Sequence, residues 1–342
     1  MGVGISALNN GRLASFVFFR SLWVKSLIFF VFLCVGISQS KAQFFDMHLT
    51  QYMHNTLPWN PGYAGMSGKI NAFVNNRNQY MGIDGSPTTT FIGADMALNV
   101  LGNQGGVGLM IFNESIGFYN NLLIQGIISQ KFDLGEGKLG VGLNFGVVNM
   151  VLDGTKFIPK PTGNFENGYH SDSDGSIPTT EVSGIGFDSG IGVYYKAPKF
   201  HAGISIMHLF NPEPNFKDEF NVYIPRIVYM SAGYNHALWE VPVTLMPSFM
   251  VRKSEGIWSF DLNMNVLYRE RYWAGLSYRL QEGLAAIVGL ELPSGLKVGY
   301  SYDIPMSAVT LRGGGTHEVL LGYVFDISFG KRDKKYKNIR FL

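Results

Sequence analysis

Few residues in this chain have the types and spacing that chemistry needs. The run from His170 to Glu181 fits part of a helix-loop-helix calcium loop. Asp172, Asp174, Gly175, Ile177 and Glu181 fall at the third, fifth, sixth, eighth and twelfth positions, where such a loop wants oxygen ligands, a turn glycine and a closing glutamate. His170 occupies the first position and is a poor ligand for a hard cation. Asp172, Asp174 and Glu181 are therefore carried as a candidate calcium set, with a solvated polar loop as the plainer reading. His201 and Ser205 share one face of a strand, but no acidic partner or oxyanion-hole pattern accompanies them, so a polar interior face explains them better than catalysis does. Gly313-Gly314-Gly315 has no helix after it and makes no phosphate cradle. The reading is of a non-enzyme with no cofactor other than that calcium.

The elements that position these residues repeat with period two. From Trp258 to Tyr268 one face carries Trp258, Phe260, Leu262, Met264, Val266 and Tyr268, and the other carries Ser259, Asp261, Asn263 and Asn265. Alternate side chains of a strand point to opposite faces, so one face is apolar and the other polar. Ten residues at roughly 3.3 Å each, tilted by about 40°, project to roughly 25 Å, the height of the apolar band of an outer-membrane barrel. An aromatic closes each end of the stripe, as an interfacial girdle requires. Leu139 to Val147 and Val319 to Phe329 repeat the pattern, with glycine at many inward positions, including Gly140, Gly142 and Gly146. So many glycines suit a crowded or curved wall better than a wide pore.

These segments predict a transmembrane antiparallel up-and-down β-barrel of about 14 strands at 69–80, 87–98, 105–114, 118–132, 138–151, 184–196, 200–209, 225–238, 241–252, 256–269, 272–281, 284–292, 295–303 and 317–330. The long connections, about 152–183, 210–224 and 304–316, all follow odd strands. They therefore share one side, expected to be extracellular, and both termini are expected in the periplasm.

Composition agrees. Only 15% of the 342 residues are charged, glycine numbers 42, and aromatics reach 14%. Mean hydropathy is +0.09, too low for a helical membrane bundle. A net charge of +2 offers no basic stripe for nucleic acid. Arg12, Arg20 and Lys25, the apolar run from Leu27 to Ile37 and Ser40-Lys41-Ala42 read as a secretory signal cleaved before Gln43. Cys34, the single cysteine, lies within it. The organisation expected is a signal peptide at 1–42, a periplasmic or plug segment at 43–68, an outer-membrane barrel at 69–330 and a basic periplasmic tail at 331–342.

Two stretches are more distinctive. The first is Gln51-Tyr52-Met53-His54-Asn55 followed by Asn60-Pro61-Gly62-Tyr63-Ala64-Gly65. The second is Arg77-Asn78-Gln79-Tyr80-Met81-Gly82-Ile83-Asp84-Gly85-Ser86-Pro87-Thr88-Thr89-Thr90. Together, over about 40 residues, they resemble the PorP/SprF family of type IX secretion outer-membrane proteins. Gly62 stands where that family has alanine, Tyr80 where it has tryptophan and Ser86 where it has alanine. The resemblance implies a non-enzymatic role in secretion, surface attachment and gliding. The implied partners are periplasmic ring components, outer-membrane lipid and cargo adhesins with a C-terminal sorting domain. A channel or porin-like transporter is the alternative. Arg77 and Gln79 share a face of the first strand with Phe73 and Asn75, so Arg77 is expected in the lumen, where burial demands a carboxylate or several carbonyls.

Overall fold

The structure, a computed structural model, describes residues 48–100, 102–156, 180–216, 222–280, 282–306 and 314–325. Its strands are β1 (Ile70–Asn78), β2 (Thr88–Val100), β3 (Asn103–Ile116), β4 (Tyr119–Leu134), β5 (Gly137–Asp153), β6 (Glu181–Lys196), β7 (Phe200–Met207) and β8 (Ile227–Tyr234). They continue with β9 (His236–Ala237), β10 (Val243–Ser254), β11 (Ile257–Tyr268), β12 (Tyr272–Arg279), β13 (Gly283–Glu291), β14 (Leu296–Pro305) and β15 (Thr316–Phe325). Both β8 and the two-residue β9 pair with β10, so together they form one strand of the wall. Each strand pairs antiparallel with its neighbours in sequence, and β15 pairs with β1 from Ile70↔Phe325 to Asn78↔His317. The wall is a closed fourteen-strand barrel with no free sheet edge along that seam. Boundaries agree with those expected to within about three residues, except the last, where 326–330 lie outside the described residues.

Burial is inverted relative to a water-soluble protein. On β11, Leu262 is 55% exposed while Asn265 is fully buried. Leu143, Phe145 and Val147 of β5 point outward and are exposed, while Asn144 is buried. An apolar outer band with polar groups inside is stable only where the outside is hydrocarbon. No helix among the described residues is long and apolar enough to cross a membrane.

The ends of the barrel differ. At one end, here the turn rim, the connections 101–102, 135–136, 197–199, 238–242, 269–271 and 292–295 are short. The Arg269-Glu270 pair takes positive φ at both positions, as a tight hairpin turn requires. At the other end, the loop rim, lie the long connections 154–180, 208–226 and 306–315, together with 79–87.

Candidate functional site

The chain from His48 to Ser67 lies against the inner faces of the strands. At the loop rim, the backbone N–H groups of Thr50 and Gln51 donate to the two carboxylate oxygens of Glu318 at 2.8 and 3.0 Å. The Thr50 hydroxyl reaches Asp303 at 2.8 Å. Deeper in, the Tyr52 hydroxyl meets Ser248 Oγ at 3.1 Å, and the His54 ring lies 4.7 Å from that of Trp273. Asn60 caps the turn Pro61–Tyr63 by accepting from the Gly62 N–H at 2.9 Å. Its amide nitrogen donates to the carbonyls of Val193 and Ile204 on the wall. Gly65, with φ +69°, donates its N–H to Asp95 at 2.6 Å, and its carbonyl accepts from Lys131. The Ala64 carbonyl accepts from Ser129, and that of Trp59 from Ser205. The first motif is thus a set of anchors. Gln51, Tyr52, Asn55, Asn60 and Pro61 are buried, and Tyr63 packs edge-on to Tyr194 at 5.3 Å.

The wall makes room for this backbone with glycine. A Cβ at Gly106 or Gly142 would collide with the backbone around Ala64 or Pro61, and one at Gly140 or Gly192 with Gly62 or Asn60. Gly62 itself has backbone oxygens of Gly140 and Gly192 at 2.8 and 2.9 Å from where a Cβ would sit. Glycine lets two backbones approach where no side chain fits. On the side of the lumen formed by β2–β5 and β8, an apolar cluster lies in the loop-rim half: Phe91, Phe112, Leu123, Met150 and Tyr229 from the wall pack with Leu57 and Trp59 of the inner segment. Phe216 joins them from the loop after β7, which folds inward, its Asn215 N–H donating to Ile185 at 3.1 Å. Asp188 of β6 stands 3.0 Å from His208 where that loop begins.

A ladder of alternating charge crosses six strands near the loop rim. Arg252 (β10) pairs with Asp261 (β11) at 2.7 Å, and Asp261 with Arg279 (β12) at 2.7 Å. Arg279 stands 3.7 Å from Asp303 (β14), Asp303 is 2.7 Å from Arg77 (β1), and Arg77 is 3.1 Å from Glu318 (β15). Arg77 and Glu318 are direct partners across the seam that closes the barrel, and Arg77 also donates to Thr50 at 2.8 Å. Buried charges persist only when compensated in this way. Burial first, and then the charges of Arg252, Arg279 and Arg77, hold His48 well below the usual imidazole range, so it faces Glu282 at 3.9 Å as a neutral ring. A cavity of about 40 Å³ beside Arg77, Arg279 and Asp303 has room for water and little else.

The second motif forms the rim loop after β1. Asn78 bonds Asn76 and Thr88, and the Gln79 N–H donates to the Pro87 carbonyl at 2.9 Å. Gly82 and Gly85 take positive φ. The loop is tied to its neighbours by backbone bonds from Met81 to Gly315, from Gly314 to Met81 and from Gly117 to Gly85. The glycine run expected to hold no phosphate thus meets this loop. Of the candidate calcium ligands, Asp172 and Asp174 lie outside the described residues, while Glu181 opens β6 and is exposed. The basic tail 331–342 also lies outside them. His201 lies against Gly233 and stacks on Tyr194, and Ser205 holds the Trp59 carbonyl. Sequence reasoning did not single out Arg252, Arg279 or Asp303. Their signal was present, since each is an ionisable residue within a spanning strand.

The sequence reading places both ends of the chain on the turn side. The described residues put Phe325 at the turn rim but His48 at the loop rim, because the inner segment crosses the lumen.

Among solved structures, several outer-membrane proteins are similar to the chain at low identity. The outer membrane protein Omp33 of Acinetobacter baumannii is 7% identical over 75% of this chain and 98% of its own, with a TM-score of 0.43. The toluene transporter TodX of Pseudomonas putida is 9% identical over 83% and 93%, with a TM-score of 0.41. BamA from Haemophilus ducreyi is 8% identical over 75% and 70%, with a TM-score of 0.42. At these values the likenesses carry no inference about function. No curated protein matches the chain. The family model for the type IX secretion system membrane protein PorP/SprF matches residues 42–323, a span holding both motifs, the seam pair Arg77–Glu318 and all but the end of the last strand. The chain belongs to the PorP/SprF family of type IX secretion system membrane proteins.

Proposed function

We propose that the protein is a non-enzymatic outer-membrane component of type IX secretion that assists the export or surface anchoring of cargo such as adhesins with a C-terminal sorting domain. The observation that carries this reading is the occupied lumen. A barrel filled by its own N-terminal segment, bonded at both rims, is suited to act through its two faces and poorly suited to pass solutes. The same observation weighs against the channel alternative. In this reading the long loops face outward to meet cargo, and the turn rim faces the periplasmic ring components. Residues 1–42 are a removed signal peptide, 43–68 a plug and 331–342 a periplasmic tail.

Three experiments test it. A tagged pull-down from gently solubilised outer membrane should recover a large adhesin or ring components. A deletion strain that still secretes and displays all its surface proteins would refute the reading. Large single-channel conductance in planar bilayers would favour the channel.

A further inference from the structure

We infer that the chain threads its own barrel, so that its N-terminal side opens on the loop rim while its C-terminal side leaves at the turn rim. The positions of successive anchors carry the inference. His48 stands beside Glu282, in the connection between β12 and β13 at the loop rim. Thr50 and Gln51 are held by Asp303 and Glu318, each two residues from the loop-rim end of its strand. Tyr52 meets Ser248 midway along β10, and His54 lies over Trp273, one residue from the turn-rim end of β12. Gly62 and Gly65 press on Gly140 and Lys131, in the turn-rim parts of β5 and β4. The chain then enters β1 at Ile70 on the turn rim.

Because the sheet is closed through β15 and β1, a segment bonded on the inside at both rims has no lateral way in. Arg77 and Glu318 pair across the closing seam, and both also hold Thr50. The inference depends on the proposed function only for which rim is outside the cell.

The test places an epitope directly before His48, a second within 157–179 and a third after Leu342, each in an otherwise full-length chain expressed in its own cells. Labelling is compared in intact and permeabilised cells. The epitope before His48 should label whenever the 157–179 epitope labels, and the C-terminal one only under the opposite condition. Labelling of the His48 epitope together with the C-terminal one overturns the inference. If the first two are hidden in intact cells and the third is open, threading stands and the assumed orientation falls. Heat-modified migration on gels checks that each tagged barrel has formed. Where the epitope prevents this, a single cysteine inserted before His48 and read with an impermeant maleimide replaces it.

Discussion

Removing the charge of Glu318 tests whether the ladder holds the inner segment. Glu318 is fully buried. One of its oxygens accepts from the Thr50 N–H at 2.8 Å and from Arg77 at 3.1 Å, and the other from the Gln51 N–H at 3.0 Å and from Asn75 at 3.2 Å. In Glu318→Gln one of these acceptors becomes an NH2 group. Either amide orientation sets that group against two donors. The ladder also loses its balance of three arginines against three carboxylates. Breaking a buried ion pair from one side costs about 3–5 kcal/mol. Asp303, 2.7 Å from Arg77, still neutralises part of that charge and points to the lower end, about 3 kcal/mol. An orphaned backbone N–H of Thr50 or Gln51 adds about 1 kcal/mol or more. Urea unfolding in lipid vesicles reads the total. Chymotrypsin reads the segment, since Tyr52, Trp59 and Tyr63 lie within it. The single variant should lose about 4 kcal/mol or more and become cleavable. Adding Arg77→Gln should restore part of the loss, with a coupling of about 1–3 kcal/mol. A loss below about 1 kcal/mol with cleavage unchanged would refute the claim that the seam pair holds the segment.

Gly142→Leu should drive the segment from the wall, since even a Cβ there collides with Pro61; an assembled barrel that is newly sensitive to chymotrypsin is the expected result. Ser205→Ala removes one hydrogen bond to the Trp59 carbonyl and should cost about 1–2 kcal/mol in urea unfolding, with the barrel intact. Leu262→Arg puts a charge on the outer face of β11, where Leu262 is 55% exposed, and should destabilise the barrel by about 2–4 kcal/mol in lipid. A water-soluble strand would tolerate that last change, so a neutral result would argue against the membrane reading.

The barrel was legible in the sequence because its cause is local. Side chains alternate every residue along a strand, and hydrocarbon outside with polar groups inside turns that alternation into a pattern of period two, plain from Trp258 to Tyr268. The inward glycines signalled a crowded wall without naming what crowds it. Arg77 called for a carboxylate, but the sequence contained no sign that two would answer, from β14 and β15. The Thr50–Glu318 bond joins residues 268 positions apart, and no periodicity reaches that far. The inner segment lacks a regular period because each residue meets a different strand: Tyr52 meets β10, Asn60 meets β6 and β7, and Gly65 meets β2. Only closure of the sheet, which brings the charged residues of six strands to one level, decided that this segment lies in the lumen and from which rim it comes.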